Sequence, residues 1–94
     1  MRPKIYIAGQ ITGDSNYRKK FAEAERFYQK TGYVVINPAV LPAGMLPADY
    51  MRICFAMIDT ADAVAFLPDY IHSAGAKVEH SYCCYIGKTI RYLC

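Results

Sequence analysis

Lys4-Ile5-Tyr6-Ile7-Ala8, closed by Gly9, is the stretch that decides the fold. It is short, apolar and β-rich, and it reads as a first strand buried on both faces. A strand of that kind belongs to a parallel sheet, whose strands must be joined by helical crossovers. Outward from it, the chain alternates as this requires. Asp14 or Ser15 is expected to cap a helix running to Lys30, with Phe21, Ala24, Phe27 and Tyr28 on one face and Arg18, Lys19, Glu23, Glu25 and Arg26 mostly on the other. Gly32 stops it, and Tyr33 to Ile36 forms the second strand. Asn37 and Pro38 end that strand, and the proline-rich segment to Pro47 reads as an irregular loop of about nine residues.

A second helix is expected from Ala48 to near Thr60. Tyr50, Cys54, Met57 and Ile58 make its main stripe, with Met51 and Phe55 beside it. The surplus apolar face suits either a self-association surface or a broadly buried helix. Asp62 to Leu67 is the third strand, stopped by Pro68; Asp69 to His72 is a loop, Ala74 to Ile86 the last helix, and Thr89 to Leu93 the final strand. The alternation predicts one domain over residues 1–94, a small doubly wound, flavodoxin/Rossmann-like α/β sandwich of three layers with a parallel sheet of about four strands. In such a sheet the ligand cleft lies beyond the carboxyl ends of the strands. Gly9 to Gly13, Asn37 to Gly44 and Pro68 to Gly75 should therefore converge on one rim. Asp62 enters its strand at the opposite rim and reads as a solvated strand-start acid.

Glu79 is the one charge on an otherwise uncharged stripe of the last helix. Its same-face neighbours are Gly75, Tyr82, Cys83 and Ile86, while Lys77 and Lys88 point elsewhere. The Ser73 to Ala76 turn opens that helix, which places Glu79 within its first two turns, toward the positive end of the macrodipole. A carboxylate in that position is a candidate working anion.

Composition narrows the function. The chain has 94 residues, 54% of them hydrophobic, with nine Tyr and no Trp, as expected of a globular rather than a disordered protein. Its net charge of +3 is mild, and only Arg18, Lys19 and Lys20 cluster, so no stripe for a nucleic-acid polymer forms. No apolar run approaches a membrane span, and Met1-Arg2-Pro3-Lys4 leads straight into strand-like sequence, so a cytoplasmic protein without membrane contact is expected. The four cysteines form no Cys-x-x-Cys pair, and His80, three residues before Cys83, supplies half a metal site at most. Neither metal nor cofactor is expected, and the thiols read as reduced and structural. So short a domain is expected to pair with itself.

Four segments taken together carry a resemblance: Lys4 to Gly13 (KIYIAGQITG), Val35 to Ala39 (VINPA), Asp62 to Pro68 (DAVAFLP) and Ser73 to Glu79 (SAGAKVE). Nearly the whole chain resembles the DUF4406 family, which is related to the nucleoside 2-deoxyribosyltransferase superfamily and its deoxynucleoside 5′-monophosphate N-glycosidase branch. The resemblance implies that Glu79 is a nucleophile attacking the anomeric carbon and releasing the base from a covalent glycosyl intermediate. Water as acceptor makes such an enzyme a hydrolase, and a second base makes it a transferase. Tyr6 by the same resemblance orients the nucleophile, although as an aromatic strand residue it equally suits core packing. The transferases hold the sugar with an aspartate six residues before the nucleophile, and the monophosphate glycosidases use a serine that helps hold phosphate. This chain has Ser73, which also suits a helix cap.

Backbone amides of Gly9, Gln10, Ile11, Thr12 and Gly13, with those near Ala74 and Gly75, are expected to add contacts to an anion. The implied ligand is a nucleoside or nucleotide. Where the relatives place an aspartate on the preceding helix to protonate the leaving base, this chain has Cys54; Asp69, an acid at the same rim, is the expected substitute or else an exposed loop residue. The relatives also extend past the last strand and lend residues to a partner's site, a contribution expected to be absent or otherwise supplied in a chain ending at Cys94. Two other readings stay open: a nucleotide or phosphosugar sensor without turnover, and a structural module in which Glu79 is a satisfied buried residue.

Overall fold

The computed structural model describes residues 1–93; Cys94 lies outside the described residues. The chain order is β1 (Lys4–Ala8), α1 (Tyr17–Lys30), β2 (Val34–Ile36), α2 (Pro47–Thr60), β3 (Ala63–Phe66), α3 (Ala74–Ile86) and β4 (Thr89–Tyr92). All strands are parallel in the order β2-β1-β3-β4, the doubly wound sheet expected from the sequence. From β1 the chain steps outward to β2, then crosses back to β3. The switch point therefore lies between β1 and β3, at their carboxyl ends.

Alternation along β1 divides the core. Tyr6 and Ala8 join Val64, Phe66, Cys54, Ile58 and Cys83 on the face covered by α2 and α3. Ile7 meets Phe21, Ala24 and Leu67 on the α1 side, where Ile5 packs with Tyr28 and Ala65. Every residue from Ile5 to Ala8 is at most 1% exposed, which is why that part of β1 carries no polar group except the Tyr6 hydroxyl, with Lys4 at the partly exposed start of the strand.

The local departures have physical causes. Helix α1 begins at Tyr17, after Asn16, and no side chain caps it. Asp14 instead accepts the Asn16 amide at 2.9 Å and pairs with Lys20. Phe27 is half exposed, because Phe21, Ala24 and Tyr28 already fill the inward stripe; it stacks edge-on against Tyr28. The segment after β2 is more regular than expected: a 3-10 turn spans Pro38–Val40, with the Asn37 side chain accepting the Ala39 amide at 2.8 Å. Pro47 belongs to the first turn of α2, where its missing N–H costs nothing. Tyr50 leaves the expected inward stripe and reaches back, donating to the Pro42 carbonyl at 2.6 Å. A second 3-10 turn, Pro68–His72, replaces the loop after β3. At the opposite rim, Asp62 accepts the Lys4 amide at 2.8 Å and stays solvated, as its position at a strand start implies. No helix among the described residues is long and apolar enough to cross a membrane.

Gly9 lets the chain leave β1 against the segment after β3. A Cβ there would lie 2.9 Å from Leu67 Cδ1 and 3.0 Å from Leu67 Cβ, and Leu67 is buried and has nowhere to retreat. Gly9→Ala should therefore cost about 1 to 3 kcal/mol, seen as a lower urea midpoint at unchanged slope. An unmoved midpoint would mean that the β1 exit has room to spare.

Candidate functional site

Helix α3 brings Glu79 to the sheet. Ser73 caps it, its Oγ accepting the Ala76 amide at 3.1 Å, and Gly87 ends it in the left-handed region at φ 74°. Ala76, Glu79 and Cys83 form the buried stripe, spaced three and four residues apart as one helix face requires. Of the neighbours expected on that stripe, Ile86 is exposed and Gly75 and Tyr82 are half-buried. Tyr82 faces α2, stacking on Phe55 and donating to Asp59 at 2.6 Å.

Glu79 is the one charged residue in the core among the described residues, 5% exposed. Tyr6 donates its hydroxyl to Glu79 Oε2 at 2.9 Å, joining β1 to α3 across 73 residues of sequence. The Cys54 thiol, from α2, is buried in the same cluster as Tyr6, close enough to both groups to influence their ionisation. Three elements thus converge on one carboxylate.

Burial dominates the electrostatics. It lifts the Glu79 carboxyl from its ordinary 4.5 to about 7, against the opposing pull of the Tyr6 and Cys54 hydrogen bonds. The helix dipole is a minor influence this far in, since it fades within the first turn. Burial also pushes the Cys54 thiol up to about 11 and Cys83 to about 11, and holds the Tyr6 phenol well above its usual range, with the Glu79 charge adding to it. Near neutral pH the cluster is therefore a half-ionised carboxyl held by two groups that keep their protons. Such a carboxyl can act as nucleophile or as proton carrier.

The residues expected to share one site fall into two clusters. Tyr6, Cys54 and Glu79 meet inside the α2/α3 face. Asp69 and the Gly9 to Gly13 loop meet instead at the rim, around a residue the sequence shows only as part of a basic helix start. Lys20 Nζ donates to the Gln10 carbonyl at 2.9 Å, to Asp14 at 2.6 Å and to Asp69. Asp69 Oδ1 in turn accepts the Gln10 amide at 3.1 Å. Burial alone would lower the Lys20 ammonium, but its bonds to Asp14 and Asp69 outweigh that and hold it above the ordinary value. Asp69, expected to stand in for the missing acid, is thus met with both oxygens engaged. Ile11 turns inward to the α1 core, Gln10 Nε2 closes on the Thr12 carbonyl at 3.2 Å, and Gly13 takes φ 85° in the turn. Gly75 faces Met51 of α2, whose Cε would lie 3.3 Å from a Cβ there.

Two surface concavities have linings that do not include Glu79. One of about 410 Å³ is lined by Ile36, Ile53 and Met57 beside α2, and one of about 430 Å³ by Lys20, Phe27, Leu67 and Leu93 along α1. Cys54, Cys83 and Cys84 are free thiols, and no group of three or more His, Cys, Asp or Glu among the described residues is arranged to hold a metal. The family model described as "Domain of unknown function (DUF4406)" matches residues 3–92. No curated protein matches the chain.

The raised Glu79 carboxyl makes stability fall with pH. Between pH 4.5 and 7 the folded chain keeps a proton that the unfolded chain releases, so stability is lost as pH rises through that window, in all by about 3 kcal/mol. Thermal melts should show a midpoint that declines from pH 5 to pH 8 in the wild type and declines much less in Glu79→Gln. Equal declines in both would remove Glu79 as the cause.

Proposed function

This chain belongs to the DUF4406 family, and from that premise we propose that it cleaves or exchanges the N-glycosidic bond of a (deoxy)nucleoside or its 5′-monophosphate, with Glu79 as nucleophile. The observation that carries the proposal is the 2.9 Å bond from the buried Tyr6 hydroxyl to the Glu79 carboxylate, in a segment with the superfamily's Ser-x-Gly-Ala-x-x-Glu pattern.

In the proposed reaction ionised Glu79 attacks the anomeric carbon, the carbon–nitrogen bond breaks, and its electron pair leaves with the base, which takes up a proton. Water or a second base then attacks the glycosyl ester and frees Glu79. Tyr6 holds Oε2 and so directs the other oxygen to the sugar. Burial serves this chemistry. An ionised carboxylate deprived of water is destabilised until positive charge develops beside it, as it does on an oxocarbenium-like sugar, so the electrostatic cost of the ground state is relieved in the transition state. Cys54 keeps its proton at neutral pH, so in this reading it is a candidate proton donor to the leaving base, though a weak one. With Glu79 only 5% exposed, a sugar reaches it only if the residues that cover it move aside.

A second reading, binding without turnover, is favoured by one specific observation: a thiol stands at position 54 where the relatives have an acid.

Incubation with each deoxynucleoside and its 5′-monophosphate should release free base, read by chromatography. Glu79→Ala should reduce release at least about a thousandfold and Tyr6→Phe about a hundredfold. If no substrate yields base and Cys54→Asp leaves binding intact without starting turnover, the second reading replaces the first.

A further inference from the structure

Cys84 is the exposed thiol among the described cysteines; Cys54 and Cys83 are buried, and burial pushes each of them up to about 11. One turn back on the same face of α3, His80 Nδ1 lies 3.9 Å from Cys84 Sγ, at the i, i+4 spacing that brings two helical side chains together. His80 Nε2 and the Tyr92 hydroxyl of β4 are 2.7 Å apart. A thiol, an imidazole against it and a third group that holds the imidazole form the arrangement by which proteins make a sulfur nucleophilic. The three groups stand one residue round the helix from the buried row of Glu79 and Cys83, and they share no hydrogen bond with the Tyr6–Glu79 pair.

The imidazole is fixed in place as well as close. Its ring stacks on Tyr70, with centroids 4.9 Å apart and planes 26° apart, and meets the edge of Phe66 at 4.9 Å. These contacts come from the turn after β3 and from β3 itself, so the sheet helps to position the ring. In the tautomer that donates Nε2–H to the Tyr92 oxygen, the Nδ1 lone pair faces the Cys84 thiol, and after proton transfer Nδ1–H faces the thiolate. The groups that meet the pair from other elements are the Tyr92 and Tyr70 phenols and the Phe66 ring. Helix α3 gives a thiolate no help, since Cys84 lies in its last turn, at the negative end of the dipole. Activation therefore depends on His80.

We infer that Cys84 is a reactive thiol, activated by His80, that exchanges with small disulfides and is thereby capped as a mixed disulfide. The thiol proton passes to His80 Nδ1 and Sγ attacks one sulfur of the incoming disulfide. The new sulfur–sulfur bond forms as the old one breaks, and the departing thiolate takes the proton from His80. One disulfide is consumed and one thiol is released, so no other oxidant enters the step. Of the described thiols the other two are buried, so reversal falls to an external thiol. The site rests on side chains that the proposed glycosidase chemistry does not use, and it stands independently of that reading.

Dithiodipyridine, which releases an absorbing thione on exchange, is a suitable probe, applied to the Cys94→Ser protein with the modified cysteine identified by mass spectrometry. Cys84 should be modified before Cys54 and Cys83, and Cys84→Ser should remove the fast phase. His80→Gln should slow the reaction of Cys84 about fivefold at pH 6 and leave it within about twofold of the unsubstituted rate at pH 9, where solvent takes the proton. Tyr92→Phe should show a smaller loss, about twofold at pH 6, and it carries the test if His80→Gln does not fold. The inference is overturned if Cys84 is not the cysteine modified first. It is overturned equally if a folded His80→Gln protein, or Tyr92→Phe in its place, reacts at pH 6 as the unsubstituted protein does. A loss of equal size at pH 6 and pH 9 also overturns it, since the imidazole would then govern access to the thiol and not its proton.

Discussion

Everything around the α2/α3 face is arranged about one hydrogen bond, from the Tyr6 hydroxyl to the Glu79 carboxylate. A buried carboxylate without partners would either force its helix off the sheet or remain permanently protonated. With the phenol of β1 beneath it and the thiol of α2 beside it, Glu79 is retained in the core with a carboxyl near 7 rather than higher. This constrains three elements together: β1 must turn Tyr6 to that face, α3 must turn Glu79 inward, and α2 must bring a small polarisable side chain alongside. For a domain of 94 residues, whose total stability is expected to be about 5 to 15 kcal/mol, a penalty of about 3 kcal/mol in ionised Glu79 is a large fraction. A group that costly is most simply understood as serving the chemistry proposed for it.

The sheet itself separates the two charged clusters. Successive residues of β1 point to opposite faces, so Tyr6 serves α2 and α3 while Ile7 serves α1. Past Ala8 the chain turns toward α1, carrying Gln10 to Lys20. The segment leaving β3 turns the other way into α3, but its first turn leaves Asp69 on the α1 side of the rim. Gly9 makes the crossing feasible, since only a residue without a side chain passes so close to Leu67 and Asp69. A parallel sheet with its switch point at β1 thus separates two polar clusters, one inside the α2/α3 face and one among the rim loops, which the sequence suggests would lie together.

What was legible in the sequence follows from the range of the forces involved. β1 and the bounds of α3 were readable because apolar runs, Ser73 and Gly87 act within a few residues. Glu79 stood out by helical periodicity alone, and its burial follows from that periodicity. Lys20 was not legible, because its decisive partner is 49 residues away and nothing local distinguishes it from Arg18 and Lys19. The same holds for Tyr50, whose aromatic ring fits an apolar stripe but whose hydroxyl is claimed by Pro42 O. The Phe66, Tyr70, His80 and Tyr92 aromatic cluster, with His80 Nε2 and Tyr92 Oη 2.7 Å apart, likewise joins residues from three elements and the turn after β3, and has no sequence signature.

Cys54 shows how far one side chain can set the ionisation of such a cluster. An aspartate at that position would put a second carboxyl within reach of Glu79, and two carboxyls sharing a dry pocket do not both ionise near neutral pH. One would hold a proton while the other is ionised. A thiol pushed up to about 11 adds no charge, so Glu79 is left to titrate alone at about 7. The cluster then keeps an ionisable carboxyl with only a weak proton donor near it. Under the proposed reaction this shifts the burden onto the leaving group. Bases that depart readily, or that take their proton from water at the rim, suit this pocket better than bases that need a carboxylic acid beside them.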